Sequence, residues 1–485
     1  MAWETVKSNL LEELSTLVDK RSSEGDRQSL HNLATAFFSR FPAEDMRDRS
    51  VENLYGCLYD LLHFMQSWDA PEPKVRIFNP EIQTHGWESK YTVIAVLCRD
   101  LPFCTASVRG ELNQRNIRIH ALASCNLETR RDDGRELLEV LTQQQGELPG
   151  ASHESLLYFE IGRHSYPEQL GELRETLRDI LAEVALVVDD FGAMRQRLRE
   201  VSAAVADSGC VSQSNRQEAI KFLTWLERDR ITFLGYEYLE VQRQGPQFEV
   251  MVDETRSLGL LRQRSTRGAM DLRADLNTMA PEALQRRQLS FSKSRQRSRV
   301  HRQAYPDYVE VKVFDAAGEV TGQHRFIGLY TSSVYTMNPV LIPILRRKVS
   351  QIIKQSGLDP PSTTDASWPG SWNCFPAMSC FSPAFASCAT PCWRSTGFRS
   401  GVRRGCSCAG MCTASSSVVC STCPGTATTR NSEPGSRIFC AAPSTPRRPS
   451  SPRIFPSLYW CAAILCCGWI RRSSRTTRST KSRSR

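Results

Sequence analysis

YTVIAVLC, running from Tyr91 to Cys98, decides the fold of this chain. A short apolar run rich in β-formers, bounded by Lys90 on one side and Arg99 and Asp100 on the other, reads as a buried strand. Working outward, Val75 and Ile77 alternate as in a strand just upstream. Downstream, helical spacing resumes between Pro102 and Asn116, and IRIHALA from Ile117 to Ala123 alternates again. After a polar excursion, LLYFEI from Leu156 to Ile161 makes another strand. From Pro167 to Leu198 a long helical pattern places Leu170, Leu173, Leu177, Ile180, Leu181 and Val184 on one face. Strand, helix, strand, strand, helix is most of a ferredoxin-like βαββαβ unit, whose last strand the pattern does not place.

Three helical stripes precede this unit. They comprise Leu10, Leu11, Leu14, Leu17 and Val18, then Leu30, Leu33, Ala34, Phe37 and Phe38, then Val51 to Met65, the last opening at Ser50 as cap. A second module begins near Asn215 with a helix marked by Ala219, Phe222, Leu223 and Leu226. Strands follow at Ile231 to Val241 and Phe248 to Val252, and then a hairpin joins Tyr308 to Phe314 with Gln323 to Tyr330 through the turn residues Asp315 to Gly318. A closing helix is expected from about Asn338 to Gly357. The expected class is α+β, with a helical segment at 1–70, the ferredoxin-like unit at 71–205 and a mixed α/β module with an antiparallel sheet at 214–358.

Composition breaks near Pro360. Of the 18 cysteines, only Cys57, Cys98, Cys104, Cys125 and Cys210 precede it. Beyond it, 16 basic residues face only Asp365 and Glu433, so the tail carries +14 of a chain whose net charge is +10, and the head carries −4. Basicity, the usual sign of a nucleic-acid or anionic-surface partner, therefore belongs to the tail alone. Met1 to Lys20 is amphipathic and of mixed charge, unlike a signal peptide, and no apolar run is long enough to span a bilayer. Scattered cysteines in the head fit a reducing cytoplasm. Rich in Ser, Pro and Cys and lacking sustained periodicity, the tail at 359–485 is expected to be disordered.

Two groups of residues carry a family resemblance. VRIFNP at Val75 to Pro80 and HGWESKYTVIAVLCRDLPF at His85 to Phe103 resemble the opening of the first ACT-type domain of the large NAD-dependent glutamate dehydrogenases of bacteria. YVEVKVFDAAGEVTGQHRFIGLYTS at Tyr308 to Ser332, IPILRRKV at Ile342 to Val349 and SGLDP at Ser356 to Pro360 resemble the PAS-like module that follows it there. The resemblance implies a parent enzyme that converts L-glutamate, NAD and water to 2-oxoglutarate, ammonium and NADH, with its catalytic domain far beyond this region. It also implies homo-oligomer contacts. Read one base out of phase from Ser362, the tail permits a string that looks like the family's continuation after SGLDP, so a frameshift near codons 359 to 363 is its expected origin.

Hydride transfer to NAD usually needs a Gly-rich turn that seats the pyrophosphate against a helix amino terminus, and no G-x-G-x-x-G occurs in the chain. No catalytic, cofactor-binding or metal-ligating residue is therefore assigned, NAD being expected only in the full-length family. In ligand-binding ACT domains, the turn from first strand to first helix uses an Asp, a Pro and a Gly to approach an amino acid. Here it reads Asp100, Leu101, Pro102, Phe103, with Asn116 closing the unit before the next strand. Asp100 either caps the helix or receives a ligand's ammonium group, and Phe103 stands where such a domain has Gly and would crowd an effector. The possible effector-binding residues are thus Asp100, Pro102, Phe103 and Asn116. His85, His120, His153 and His164 lack paired zinc-site spacing, and SKSRQRSRVH at Ser292 to His301 reads either as a phosphate contact or as a charged strand edge.

The expected function is a non-catalytic regulatory and assembly segment of a glutamate dehydrogenase. A free-standing amino-acid sensor and a nucleic-acid binder using the cationic tail are the alternatives, and neither nucleic acid nor membrane is expected as a partner.

Overall fold

A continuous apolar strand must be covered on both faces, and the covering elements here come from both before and after it in the sequence. The computed structural model describes residues 2–356 except 47–48, 134, 142–149, 208, 245–246 and 263–286. The tail expected to be disordered lies outside the described residues. Helices α1 (Ala2–Arg21), α2 (Glu24–Ser39), the single turn α3 (Ala43–Met46) and α4 (Val51–Gln66) come first. Ser50 does cap α4, its side chain accepting from Asn53 N at 3.2 Å.

Strands β1 (Lys74–Phe78), β2 (Thr92–Arg99), β3 (Ile119–Arg131), β4 (Leu137–Leu141) and β5 (Ser152–Ile161) form an antiparallel sheet in the order β1-β2-β5-β3-β4. Between β1 and β2 lies the single turn α5 (Ile82–His85), and α6 (Cys104–Gln114) joins β2 to β3. Along β2, Val93, Ala95 and Leu97 enter a cluster with α1, α2 and α4, whereas Ile94, Val96 and Cys98 point into a second cluster with α6 and the long helix α7 (Pro167–Asp189). Each such fully buried aliphatic side chain contributes about 1.5–3 kcal/mol.

Two expectations for this module need correction. Among the described residues no strand after α7 joins this sheet, and the edge beside β2 is taken by the upstream strand β1, in register Val75↔Val96 and Ile77↔Ile94. The pattern from Pro167 to Leu198 is also two helices, α7 and α8 (Phe191–Asp207), separated at Asp190. That residue is 7% exposed and its carboxylate accepts from Gly259 N at 2.7 Å and from Arg262 Nη2 at 2.5 Å. Gly259 has φ +60, and a Cβ there would lie 2.4 Å from Leu234 O, so this close approach requires glycine.

The second module starts with α9 (Gln213–Glu227) and continues through β6 (Ile231–Gln244), β7 (Gln247–Gly259), β8 (Leu289–Lys293), β9 (Asp307–Phe314) and β10 (Val320–Tyr330). Its antiparallel sheet has the order β7-β6-β10-β9-β8. The hairpin turn is built as its residues suggest, with Asp315 Oδ1 accepting from Ala317 N and Glu319 N at 2.9 Å each and Gly318 at φ +81. The closing helix does not begin at Asn338. That residue starts a 3-10 turn, Ile344 takes φ +71, and after the single turn α10 (Ser332–Thr336) the last helix α11 is Leu345–Ser356. Leu234, Tyr308, Ile327 and Leu329 of this module share one core cluster with α6 and α7, so residues up to Arg347 form one compact unit.

Candidate functional site

The turn leaving β2 is held from several sides. Asp100 N donates to His153 O at 3.1 Å, and Ser155 Oγ donates to Asp100 Oδ1 at 2.9 Å. Next to it, Arg99 reaches Asp189 Oδ2, at the end of α7, at 2.8 Å. Asp100 does not cap α6. The N-cap is Phe103, which makes no side-chain cap hydrogen bond and adopts φ +76, the left-handed conformation that favours glycine. The backbone thus keeps the shape of a glycine turn while carrying a phenyl ring.

That ring faces the second module. Its centroid lies 4.5 Å from that of His301, which also has positive φ, and His301 N donates to Ser107 Oγ in the first turns of α6 at 2.9 Å. Burial, reinforced by Arg302, lowers the His301 pKa and favours the neutral imidazole against the phenyl ring. Ser107 and Val300 are buried, and Arg299 pairs with Glu183 of α7 through both its Nε and Nη2. Burial raises the Glu183 carboxyl despite Arg299, which opposes it. Further along α6, a Cβ on Gly110 would sit 3.3 Å from Gln303 Cγ. The segment from Ser294 to Tyr305 is itself ordered by Ser298 N donating to Ala304 O at 2.8 Å and Arg302 Nη2 donating to Tyr330 O at 2.6 Å. The basic run read as a phosphate contact or a strand edge therefore straps the second sheet to α6 and α7.

Asp100, Pro102 and Phe103 share one turn, but Asn116 lies past the opposite end of α6, an 11-residue helix about 16 Å long. Asn116 has φ +58 and its N–H donates to Asn113 O at 3.0 Å, the geometry of a helix terminator. The structure brings the first three together and leaves Asn116 apart. Of the histidines, His85 packs on Phe78 at 4.8 Å and His120 stacks on Tyr91 at 4.3 Å. Among the described residues no three His, Cys, Asp or Glu side chains cluster as metal ligands.

Ser107 escaped the sequence reading, as did the contacts of Arg299 and His301, which entered it only within the basic run from Ser292 to His301. Their only local sign was the break in alternation after Phe291, where small and basic residues replace the strand pattern.

With this geometry in hand, sequence comparison supplies the class. Residues 33–177 match the family model for the glutamate dehydrogenase ACT1 domain, a span that begins inside α2 and ends inside α7. The chain is 36% identical over 366 residues to the NAD-specific glutamate dehydrogenase of Halomonas elongata, an alignment covering 74% of this chain and 22% of that protein. It is 34% identical over 358 residues to the enzyme of the same name from Pseudomonas aeruginosa, covering 73% and 22%. The namesake from Mycobacterium tuberculosis is 24% identical over 256 residues, covering 52% and 15%. The chain belongs to the NAD-specific glutamate dehydrogenase family as a counterpart of its amino-terminal region, and it spans about a fifth of the length of these relatives.

Proposed function

We propose that this chain is the non-catalytic regulatory and assembly segment of an NAD-dependent glutamate dehydrogenase, working in the cytoplasm. The parent reaction would take L-glutamate, NAD and water to 2-oxoglutarate, ammonium and NADH, with the NAD chemistry outside this region. The observation that carries the reading is the relation to NAD-specific glutamate dehydrogenases over 366 residues, confined to 22% of the relative's length. The strap from Ser294 to Tyr305 supports it, since a regulatory segment must transmit forces between its modules and this one locks them through Phe103, Ser107 and Glu183. In this reading the first module is ACT-like, with β1 in the place of the closing strand, and the second is PAS-like. Homo-oligomer contacts belong to the same proposal.

A free-standing amino-acid sensor would need an open turn at Asp100, Pro102 and Phe103. The Phe103 ring against His301 weighs against that, as does the distance to Asn116. Calorimetry of L-glutamate into the full chain separates the two. The segment reading expects no saturable heat at this turn, and saturable binding that weakens in Asp100→Ala would favour the sensor.

A further inference from the structure

We propose that Cys98 and Cys104 are a redox-active dithiol, which hydroperoxides oxidise to a disulfide bridging the turn from β2 to α6. Cys98 stands next to last on β2 and Cys104 opens α6, with the exposed residues Asp100 and Pro102 between them. Both thiols are free, and the two are hydrogen-bonded to each other. They also share one core cluster, so the packing that orders β2 and α6 keeps the sulfurs together.

Contact alone does not make a reactive pair, because it is the thiolate that attacks an oxidant. Here the two thiols are unequal. The hydrogen bond from Cys98 lowers the pKa of Cys104 against burial and Asp100, which oppose it, and Arg99 and the Leu101 N–H act in the same direction as Cys98. Cys98 is shifted upward, first by that same hydrogen bond and then by burial. Cys104 therefore ionises while Cys98 keeps its proton and donates it to the thiolate. Cys57 and Cys125, by contrast, are pushed up to about 12 by burial and stay protonated. Cys98 and Cys104 are 5% and 3% exposed, but the turn over them is a surface turn. Local opening of that turn, without unfolding of the sheet, admits a molecule the size of hydrogen peroxide.

The Cys104 thiolate attacks one peroxide oxygen, the O–O bond breaks and hydroxide leaves, which gives a sulfenic acid on Cys104. That hydroxide becomes water with the proton Cys104 had given up. The Cys98 sulfur then attacks the Cys104 sulfur, the S–O bond breaks, and the departing hydroxide takes the Cys98 proton as a second water. Each sulfur is oxidised by one electron and the peroxide is reduced to water. Exchange with an external dithiol restores both thiols. The bridge ties the start of α6 to the end of β2, where Phe103 and Ser107 hold the strap from the second module. Disulfides in reducing compartments are usually transient ones of this sensing kind.

The test is peptide mapping of the full chain. Reduced protein is treated with hydrogen peroxide while folded, quenched with acid, unfolded, alkylated and cut with trypsin, which separates Cys98 from Cys104 by cleaving after Arg99. The expected result is that the peptides Tyr91 to Arg99 and Asp100 to Arg109 appear joined, that dithiothreitol parts them, and that Cys57 and Cys125 remain alkylated thiols. Dimedone, which traps sulfenic acids, should label Cys104 in Cys98→Ser and leave Cys98 unlabelled in Cys104→Ser. If neither variant folds, the joined peptide in the parent chain decides by itself. Recovery of both cysteines as unlinked thiols after a treatment that oxidises the exposed Cys210 would overturn the proposal, as would their appearance only in links to other cysteines.

Discussion

A phenyl ring at φ +76 costs about 1–2 kcal/mol relative to glycine at the same place, so Phe103 must recover that through its contact with His301. Phe103→Ala loses the ring and keeps the strain, whereas Phe103→Gly loses the ring and relieves it. The glycine variant should therefore be the more stable of the two by about 1 kcal/mol, measured by urea unfolding. His324 gives a pH prediction. Burial, with Arg256 and Arg197 adding to it, pushes its imidazole down to about 4 from 6.5. Since the unfolded chain then takes up the proton first, stability should hold above pH 6.5 and fall as pH drops toward 4, by up to about 3 kcal/mol. Subtracting the curve of His324→Gln from that of the parent isolates this effect. The anomaly of Phe103 was readable in sequence because a turn residue can be judged against its neighbours. Its partner was not, because His301 and Ser107 are 194 positions apart.

Helix α4 pairs with the first sheet through Asp60 and Arg76 of β1, and a buried ion pair within the sheet holds its carboxyl end. Arg131 of β3 holds Glu154 of β5 at 2.7 Å while its remaining nitrogens donate to the carbonyls of Met65 and Gln66, which the end of the helix leaves unsatisfied. Glu154 is fully buried and also accepts from Thr129 Oγ1 at 2.5 Å. Glu154→Gln, which leaves Arg131 with an uncompensated charge, should cost about 3–5 kcal/mol in chemical denaturation. The apolar periods made the elements themselves legible, from the three amino-terminal helices to β2, α6, β5 and the hairpin of β9 and β10. Where tertiary contacts override the period, the reading failed. The helical spacing runs through Asp190, yet its carboxylate is drawn off to Gly259 and Arg262 and the helix breaks there. Likewise β4 is a five-residue strand hidden in a polar stretch, and the place of the expected last strand was filled by β1, which no local pattern could reveal.

At the scale of the described unit, one of two core clusters runs from the first sheet through α6 and α7 into the second sheet, and the strap ending at Tyr305 closes it from the side. Its place in the family was legible because long stretches such as Tyr308 to Ser332 keep the family's pattern, whereas the way the modules interlock depends on contacts far apart in the chain. The family's NAD chemistry is taken to reside outside these residues, and one measurement decides that directly. Purified full-length chain, freed of host dehydrogenase, is incubated with L-glutamate and NAD and the appearance of NADH is followed spectrophotometrically. The account predicts a rate indistinguishable from that without protein, and glutamate-dependent NADH formation that scales with the amount of chain would contradict it.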